Sequence, residues 1–384
     1  MSTALELQQE RNEVRSDLLA GKKPKRIFIV PSFTLEAACG LANISLIEAH
    51  YDMGLLEKAL AKVCETFYSD VFAVANTRFP PVYQILKARN WITGSNGAMQ
   101  HPEIEIMYAE DYDEFIAAPY KTMVEKFLSR ACSALDTDPV TRSLKLATAY
   151  GAYKNIFNAQ NGIIGKLATR YGYVPGMATN QLIEAPFDFL ADILRGFKGI
   201  TMDIRRCPDK VKAAVEVITP LMVKMAVPVV MRPGLISHVP LHMAPYINMK
   251  AFEELYWPTF EQMIVELDKK GIACLIIAEQ DFTRYCEYLA RLPKSTIIRV
   301  EAGDPKRFTE TVGRDHVFGG FYDPTITLTR SKEECIDEAK RLLDVCTKSD
   351  HYFFNFDRAI MDTKSIDVSK VQAVLEWVRE NGTY

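Results

Sequence analysis

The chain has 384 residues, of which 48% are hydrophobic, so it is long enough to bury a large core. Its 46 basic and 49 acidic side chains give a formal net charge of -3 at pH 7, which argues against nucleic acid or an anionic membrane as a partner. The eight cysteines include no CxxC pair, which argues against a zinc ribbon or a thioredoxin-type redox site and predicts reduced core thiols.

The first residues read STALELQQERNEVRSDLLAGKKPKR, an amphipathic helical pattern that lacks the apolar centre of a signal peptide. No later apolar run approaches the ~20 residues that are needed to span a bilayer. We therefore expect a cytoplasmic protein.

Hydrophobic periodicity predicts eight buried strands that alternate with helical segments. In chain order they are 26–30, 70–74, 200–203, 226–231, 273–278, 296–301, 316–321 and 352–356. The region from Met123 to Ile156 has helical spacing and is interrupted by a turn, after which Pro139 suits the first turn of a new helix.

Eight strand–helix units are the number that closes a parallel barrel, so the predicted fold class is α/β, a (β/α)8 TIM barrel. N-terminal helical additions, with an insertion at about 107–196, would cap this single domain of residues 1–384. A doubly wound sheet uses the same alternation and is the structural alternative. Because no GxGxxG follows the first strand and no GxxxxGK[ST] occurs, nucleotide binding has little support.

Active sites of parallel barrels lie at the carboxyl ends of the strands, so the residues that follow each apolar run are the candidates. Those assigned a role below are Arg78, His238, His242, Glu279, Asp304, Phe321, Tyr322, Phe356 and Asp357.

The stretch SHVPLHM places His238 and His242 four residues apart in a segment predicted to be a loop after the fourth strand. Two imidazoles that converge with Glu279 would form a three-ligand metal site with an open position, as catalytic zinc requires. The alternative is that both histidines are hydrogen-bonded parts of the structure, because no HExxH or cysteine cluster accompanies them.

Glu279 ends the apolar run CLIIA, which predicts a carboxylate at the barrel mouth with one desolvated side. Burial would raise its pKa and Arg284 would lower it, so its protonation state stays open. The alternative is a carboxylate that only pairs with a basic neighbour.

Several segments, in order, resemble one enzyme family. They are MYAEDYDEFIAAPYKTMVEKFLSR, APFDFLADILRGFKGITMDIRRCP, MKAFEELYWPTFEQMI, GIACLIIAEQDFTRYCEYLARLP, FGGFYDP and the terminal RENGTY. The set is similar to the uroporphyrinogen decarboxylase superfamily, on the side of its corrinoid-dependent methyltransferases. This resemblance implies a (β/α)8 barrel and covers nearly the whole chain.

The chain departs from two branches of that superfamily. The decarboxylase's RQAGR-type motif is absent, since the first strand reads IFIVPSFTLEAACG, so porphyrinogen decarboxylation is not expected. Thiol-activating members hold zinc with a His-x-Cys pair and a second cysteine, whereas this chain has Glu279 near the first position and Asp357 with Arg358 at the second. A carboxylate-based site of this kind suits activation of an ether oxygen better than thiol chemistry.

The resemblance therefore implies a methyltransferase of the anaerobic O-demethylase type. It would move a methyl group between a small methylated substrate, such as an aryl methyl ether, and the cobalt of a corrinoid protein or cobalamin. The residues contain no corrinoid-binding DxHxxG sequence, so the cobalt would arrive on a partner or as free cofactor. Zinc is a further candidate cofactor, and a homodimer is left open.

In this hypothesis Glu279 is the acid or a metal ligand, and His242 and His238 assist it. Asp304 and Asp357 would orient polar groups. Substrate binding is assigned to four side chains: Arg78, Phe321, Tyr322 and Phe356.

Two other functions remain open at this stage. One is an acid–base decarboxylase or lyase that acts on a small carboxylate through Glu279 and Arg78. The other is a barrel that binds a ligand without catalysis.

Overall fold

The computed structural model describes residues 3–75 and 78–384. The chain forms two compact units. Unit 1 comprises Met1–Thr77, Gln160–Thr179 and Ala273–Tyr384, and unit 2 comprises Arg78–Ala159 and Asn180–Ile272.

The strands are short and are spread along the whole chain. They are β1 Phe28–Ile29, β2 Phe33–Thr34, β3 Val74–Ala75, β4 Ile92–Thr93, β5 Met99–Gln100, β6 Leu235–Leu241, β7 Ile272–Asp281, β8 Ile297–Ala302, β9 Phe318–Gly320 and β10 Tyr352–Phe354.

Helices occupy most of the remaining chain. They are α1 Ala4–Leu19, α2 Leu35–Ala42, α3 Leu46–Ala49, α4 Met53–Thr66, α5 Pro80–Leu86, α6 Tyr112–Ala117, α7 Pro119–Thr122, α8 Leu128–Ala131, α9 Pro139–Tyr171, α10 Pro186–Asp188, α11 Gly196–Arg206, α12 Pro208–Ala226, α13 Met249–Ala251, α14 Trp257–Lys269, α15 Cys286–Leu289, α16 Pro305–Thr311, α17 Lys332–Cys346 and α18 Val368–Asn381. None of the helices that the structure describes is both long enough and apolar enough to cross a membrane.

A parallel sheet forms the centre of unit 1, with β1, β10, β9, β8 and β7 as successive neighbours. Its strands are almost entirely buried, as expected for a parallel sheet that is covered on both faces. Strand β9 lies so close to β8 that no side chain fits at Gly320. A Cβ there would lie 1.9 Å from the carbonyl oxygen of Val300. Gly320 also has φ +112°, so only glycine meets both demands without strain.

A buried carboxylate ties β1 to the rest of unit 1. Asp70 has no exposed surface, and its two oxygens accept hydrogen bonds of 2.8 Å from the two ends of the Arg26 guanidinium. It also accepts the Ile29 N–H at 2.8 Å and the Tyr68 hydroxyl at 2.7 Å, and it forms an ion pair with Arg11 at 3.3 Å. These donors offset the cost of removing the charge from water.

A second buried ion pair organises unit 2. The Asp203 carboxylate accepts from Arg195 Nε at 2.6 Å and from the Tyr112 hydroxyl at 2.8 Å. All three side chains are buried, which joins α6 to α11 within the unit.

Two of the eight predicted strands are wrong. Residues 200–203 lie in α11, whose buried positions Gly196, Gly199, Ile200 and Asp203 follow the helical and not the strand period. Residues 226–231 form no strand, since Val229 and Val230 are exposed, and the strand of this region is β6 further on.

The other predicted strands correspond to observed ones with shifted ends. The runs at 26–30, 273–278, 296–301, 316–321 and 352–356 contain or overlap β1, β7, β8, β9 and β10. The run at 70–74 meets β3 only at Val74.

Replacing Asp70 by alanine would leave Arg26 buried without its carboxylate. We expect a loss of about 3–5 kcal/mol of folding free energy, as for other broken buried ion pairs. Thermal unfolding followed by circular dichroism measures the effect. Asp315→Ala is the matched control, because Asp315 pairs with Lys294 at an exposed position and its loss should leave the melting temperature unchanged. Equal melting temperatures for both variants would contradict the role given to Asp70.

Candidate functional site

Six of the predicted site residues lie in unit 1, at or just beyond the carboxyl ends of β7 to β10. The strands are in register near these ends, because Val300 pairs with Gly320 and Gly319 pairs with Phe353. The six are Glu279, Asp304, Phe321, Tyr322, Phe356 and Asp357. The carboxyl edge of a parallel sheet is where such enzymes place their chemistry.

A β-bulge sets the position of Glu279. The pairing of β7 with β8 shifts between Ala278 and Asp281, so one extra residue is inserted at the end of β7. Gln280 takes the left-handed conformation with φ +64° and donates its N–H to Glu301 Oε2 at 2.9 Å. Bulges of this type redirect side chains at strand ends.

Arg299 is a charged residue inside strand β8 that lies among the acidic residues of this edge. It donates to the Asp357 carbonyl oxygen at 2.9 Å, and the charges of Glu301, Asp357 and Glu279 act on it. Burial nevertheless lowers the pKa of its guanidinium below the ordinary value. Among the described residues, neither Arg299 Nε nor the buried Oδ1 of Asn355 has a hydrogen-bond partner.

Asp357 is buried at the end of the β10 segment. Burial raises its pKa to about 6, with a further increase from the charge of Asp323, while Arg358 opposes the shift. A group that titrates near neutral pH is suited to proton transfer.

The remaining predicted residues of unit 1 have structural contacts. Asp304 caps α16 by accepting the Lys306 N–H at 2.9 Å. The buried Tyr322 hydroxyl donates to the Cys335 carbonyl oxygen at 3.1 Å. Phe356 is buried against Tyr322 and Phe33, and Phe321 packs against Phe308. Their assigned roles in catalysis and substrate binding stay predictions.

Unit 2 contains a second cluster, built around β6. Chain segment 181–184 runs beside this strand, because Ile183 N–H donates to the His238 carbonyl oxygen at 2.9 Å and His238 N–H donates to the Gln181 carbonyl oxygen at 3.1 Å. His238 therefore lies within β6 and not in a loop, which corrects the predicted position. His242 follows the end of the strand.

Three carboxyl groups and one imidazole make up the second cluster. His242 Nδ1 lies 2.5 Å from Asp192 Oδ2. Asp188 accepts the N–H groups of His242 and Met243 at 3.1 and 2.9 Å, and the Tyr256 hydroxyl at 2.6 Å.

Glu184 is the member of the cluster with an unsatisfied oxygen. Its Oε2 atom is buried and has no hydrogen-bond partner among the residues that the structure describes. Burial and then the charges of Asp192 and Asp188 raise the pKa of Glu184 to about 8, against a smaller opposite effect of His242. Burial raises the pKa of Asp188 to about 7. Burial therefore favours the protonated form of Glu184, which is able to donate a proton.

Comparison with known proteins identifies the family. The family model for uroporphyrinogen decarboxylase (URO-D) matches residues 174–381, which is more than half of the chain. The chain belongs to the uroporphyrinogen decarboxylase family. A solved structure named "methyltransferase from Methanosarcina mazei" is similar with a TM-score of 0.62 and 12% sequence identity, over 97% of this chain and 98% of that one. No protein of curated function matches the sequence.

These comparisons confirm the predicted fold class and the resemblance stated from the sequence motifs. The fold of the uroporphyrinogen decarboxylase family is a (β/α)8 barrel, and a likeness over nearly the full length of both chains shows the same fold.

The predicted metal ligands of this family member divide between the two units. Glu279 lies in unit 1, and His238 and His242 lie in unit 2. Over residues 3–75 and 78–384, no three side chains of His, Cys, Asp or Glu are grouped so that they could hold a metal ion. The zinc site therefore stays a prediction, and no chemical step is assigned to it.

Sequence reasoning missed four residues that the structure makes prominent: His101, Glu184, Asp192 and Arg299. An arginine inside the apolar run TIIRV was the available signal for Arg299. His101 lies on a short connection and stacks on Trp91 at 4.4 Å, while Arg78 lies 4.9 Å from the centre of the same indole ring. Burial lowers the pKa of His101.

The raised pKa values make the stability of the protein depend on pH. Glu184 and Asp188 bind their protons more tightly in the folded protein than in the unfolded chain, and this difference stabilises the fold. The stabilisation is complete below about pH 4 and is lost as the pH rises through the folded-state pKa values of about 7 and 8. Glu184→Gln mimics the neutral acid. We expect its melting temperature to fall less between about pH 5 and pH 9 than that of the parent, as measured by thermal unfolding.

Glu125→Gln is the control for this series, because Glu125 is an exposed carboxylate of unit 2. It should follow the parent curve. Parallel curves for Glu184→Gln and the parent would show that Glu184 is ionised in the folded protein at neutral pH.

Proposed function

We propose that the protein is a methyltransferase that moves a methyl group between a small methylated substrate and the cobalt of a corrinoid protein or of free cobalamin. The substrate class that suits the site best is an aryl methyl ether. Family membership and a structural neighbour that is named a methyltransferase support the reaction type. The observation that carries the ether assignment is the buried carboxyl group of Glu184, whose Oε2 has no hydrogen-bond partner among the described residues and whose pKa is raised by burial.

An ether oxygen is a poor leaving group unless it gains a proton as the carbon–oxygen bond breaks. The reduced corrinoid, delivered as a co-substrate, supplies the nucleophile that takes the methyl carbon. The electron pair of the broken bond stays on oxygen, and the Glu184 proton converts that oxygen to a phenol hydroxyl. Glu184 is then a carboxylate and regains its proton from solvent.

The neighbours of Glu184 suit this role. The negative charges of Asp192 and Asp188 oppose ionisation of Glu184 until an acceptor takes its proton. His242, which is held by Asp192 at 2.5 Å, can stabilise the carboxylate that forms. In unit 1, Glu279 is the second candidate acid, and Arg299 and Asp357 would orient polar groups beside it.

The test is methyl transfer from 2-methoxyphenol to chemically reduced cobalamin, followed by the visible spectrum of the corrinoid. We expect methylated cobalt with the parent protein, and a loss on the order of 10²-fold in turnover for Glu184→Gln. Glu279→Gln measures the competing assignment, and Glu125→Gln is the exposed control. Unmethylated cobalt across methoxyarenes and methylamines would contradict the function, and carbon dioxide release from a small carboxylate without corrinoid would favour a lyase.

The two histidines of the β6 region should differ in effect. His242→Ala removes the partner of Asp192, whereas His238 lies within the strand and pairs through its backbone, which alanine retains. We expect the turnover of His242→Ala to fall by about 10-fold or more, and that of His238→Ala to fall less. Equal rates for the two variants in the corrinoid assay would return both histidines to a structural role.

A further inference from the structure

Unit 2 contains a partly open cavity that is lined by Asp192 of the second cluster. Its volume is about 150 Å³, and it lies between chain segments 101–106 and 191–197. The residues that matter for its chemistry are His101, Ile104, Ile106, Ala191, Asp192 and Phe197.

The size of the cavity limits its occupant. An engineered cavity of about 150 Å³ in another protein binds benzene, so a volume of this order admits one six-membered ring. A tetrapyrrole is several times larger and does not fit. The cavity therefore suits a monocyclic compound and not the substrate class that gives the family its name.

Part of the lining is apolar or aromatic. Ile106 and Ala191 are buried, and His101 stacks on Trp91 at 4.4 Å, which holds the imidazole plane. Phe197 is 49% exposed and meets the ring of Tyr246 edge-on at 5.6 Å. Aromatic side chains prefer stacked or edge-on contact with another ring, which favours an aromatic occupant over a saturated one.

One wall is polar. The cavity is lined by Asp192, whose carboxylate lies 2.5 Å from His242 Nδ1. A ring that enters the cavity thus meets an acid–imidazole pair able to exchange hydrogen bonds with an oxygen substituent.

We propose that this cavity is the binding site for a single oxygen-substituted aromatic ring, with the ring against His101 and Phe197 and the substituent towards Asp192. The proposal rests on the proposed function in identifying that ring as part of the methyl donor. It shifts ring recognition from the predicted residues Phe321, Tyr322 and Phe356 to unit 2.

Isothermal titration calorimetry of the full-length protein tests the site without any methyl transfer. The probes are phenol and 2-methoxyphenol, with cyclohexanol as a non-aromatic compound of similar size and 2-naphthol as a larger aromatic one. We expect 1:1 binding of the two monocyclic phenols, with cyclohexanol and 2-naphthol at least about 10-fold weaker. Equal affinity for cyclohexanol, or no binding of phenol, would overturn the proposal.

Two variants and a matched control locate the binding. Ala191→Leu fills the cavity and should abolish phenol binding, and the exposed Phe197→Ala, which leaves the core intact, should weaken it by about 5- to 10-fold. Phe157→Ala removes another partly exposed phenylalanine of unit 2 that does not line the cavity, and it should bind phenol like the parent. Parent-like binding by Phe197→Ala would overturn the proposal even if Ala191→Leu fails to fold.

The two proposals fail in different ways. Phenol binding that the variants weaken, together with no methyl transfer from any ether, would overturn the proposed function and support the ring site. Methyl transfer from 2-methoxyphenol with an unchanged KM in Phe197→Ala would support the function and overturn the ring site.

Discussion

A carboxylate that is removed from water must receive hydrogen-bond donors or give up its charge, and this constraint governs both units of the protein. Asp70 shows the first outcome. Its oxygens receive a guanidinium fork, a tyrosine hydroxyl and a backbone N–H, so the start of β1 is held at a defined place. Asp203 is satisfied in the same way by Arg195 and Tyr112 in unit 2.

Glu184 shows the second outcome. Its buried Oε2 meets no donor in the described parts of the chain, and burial raises the pKa of its carboxyl group to about 8. Asp188 lies between the two cases, since three donors reach it and burial still raises its pKa to about 7. A buried carboxyl group without a donor is costly to stability, and strongly shifted pKa values are enriched at functional sites.

The proposed acid chemistry fits the departures of this chain from other branches of the family. Where thiol-activating relatives are expected to use zinc and cysteine, this chain presents carboxyl groups in both units: Glu279, Glu301 and Asp357 in one, and Glu184, Asp188 and Asp192 in the other. An acidic group can protonate an oxygen as it leaves the methyl carbon. A site that binds a thiolate to a metal does not require such a proton donor. The small volume of the cavity beside Asp192 is the basis of the proposal that the substrate is monocyclic.

The local pattern of the sequence was sufficient for much of the fold. Strands β7 to β10 could be predicted because continuous apolar runs are typical of parallel strands that are covered on both faces, and Glu279 could be placed at the end of β7 for the same reason. Residues 200–203 could not be assigned, because four residues fit a strand as well as a turn of helix. In the helix, the Asp203 carboxylate is buried and accepts hydrogen bonds from Arg195 and from Tyr112, which is distant in the sequence. A local pattern does not contain these contacts.

The site depended far more on tertiary structure. Glu184 follows no predicted strand, and it meets the Asp192–His242 pair only because segment 181–184 pairs with β6, more than 50 residues further along the chain. Its pKa is set by burial and by the charges of those neighbours, which no local pattern contains. The sequence by itself determined strands β1 and β7 to β10 and the polar residues that follow β7 to β10. Only the tertiary structure decided which of those groups lose water, and with it their charge, because desolvation depends on what the rest of the chain places around them.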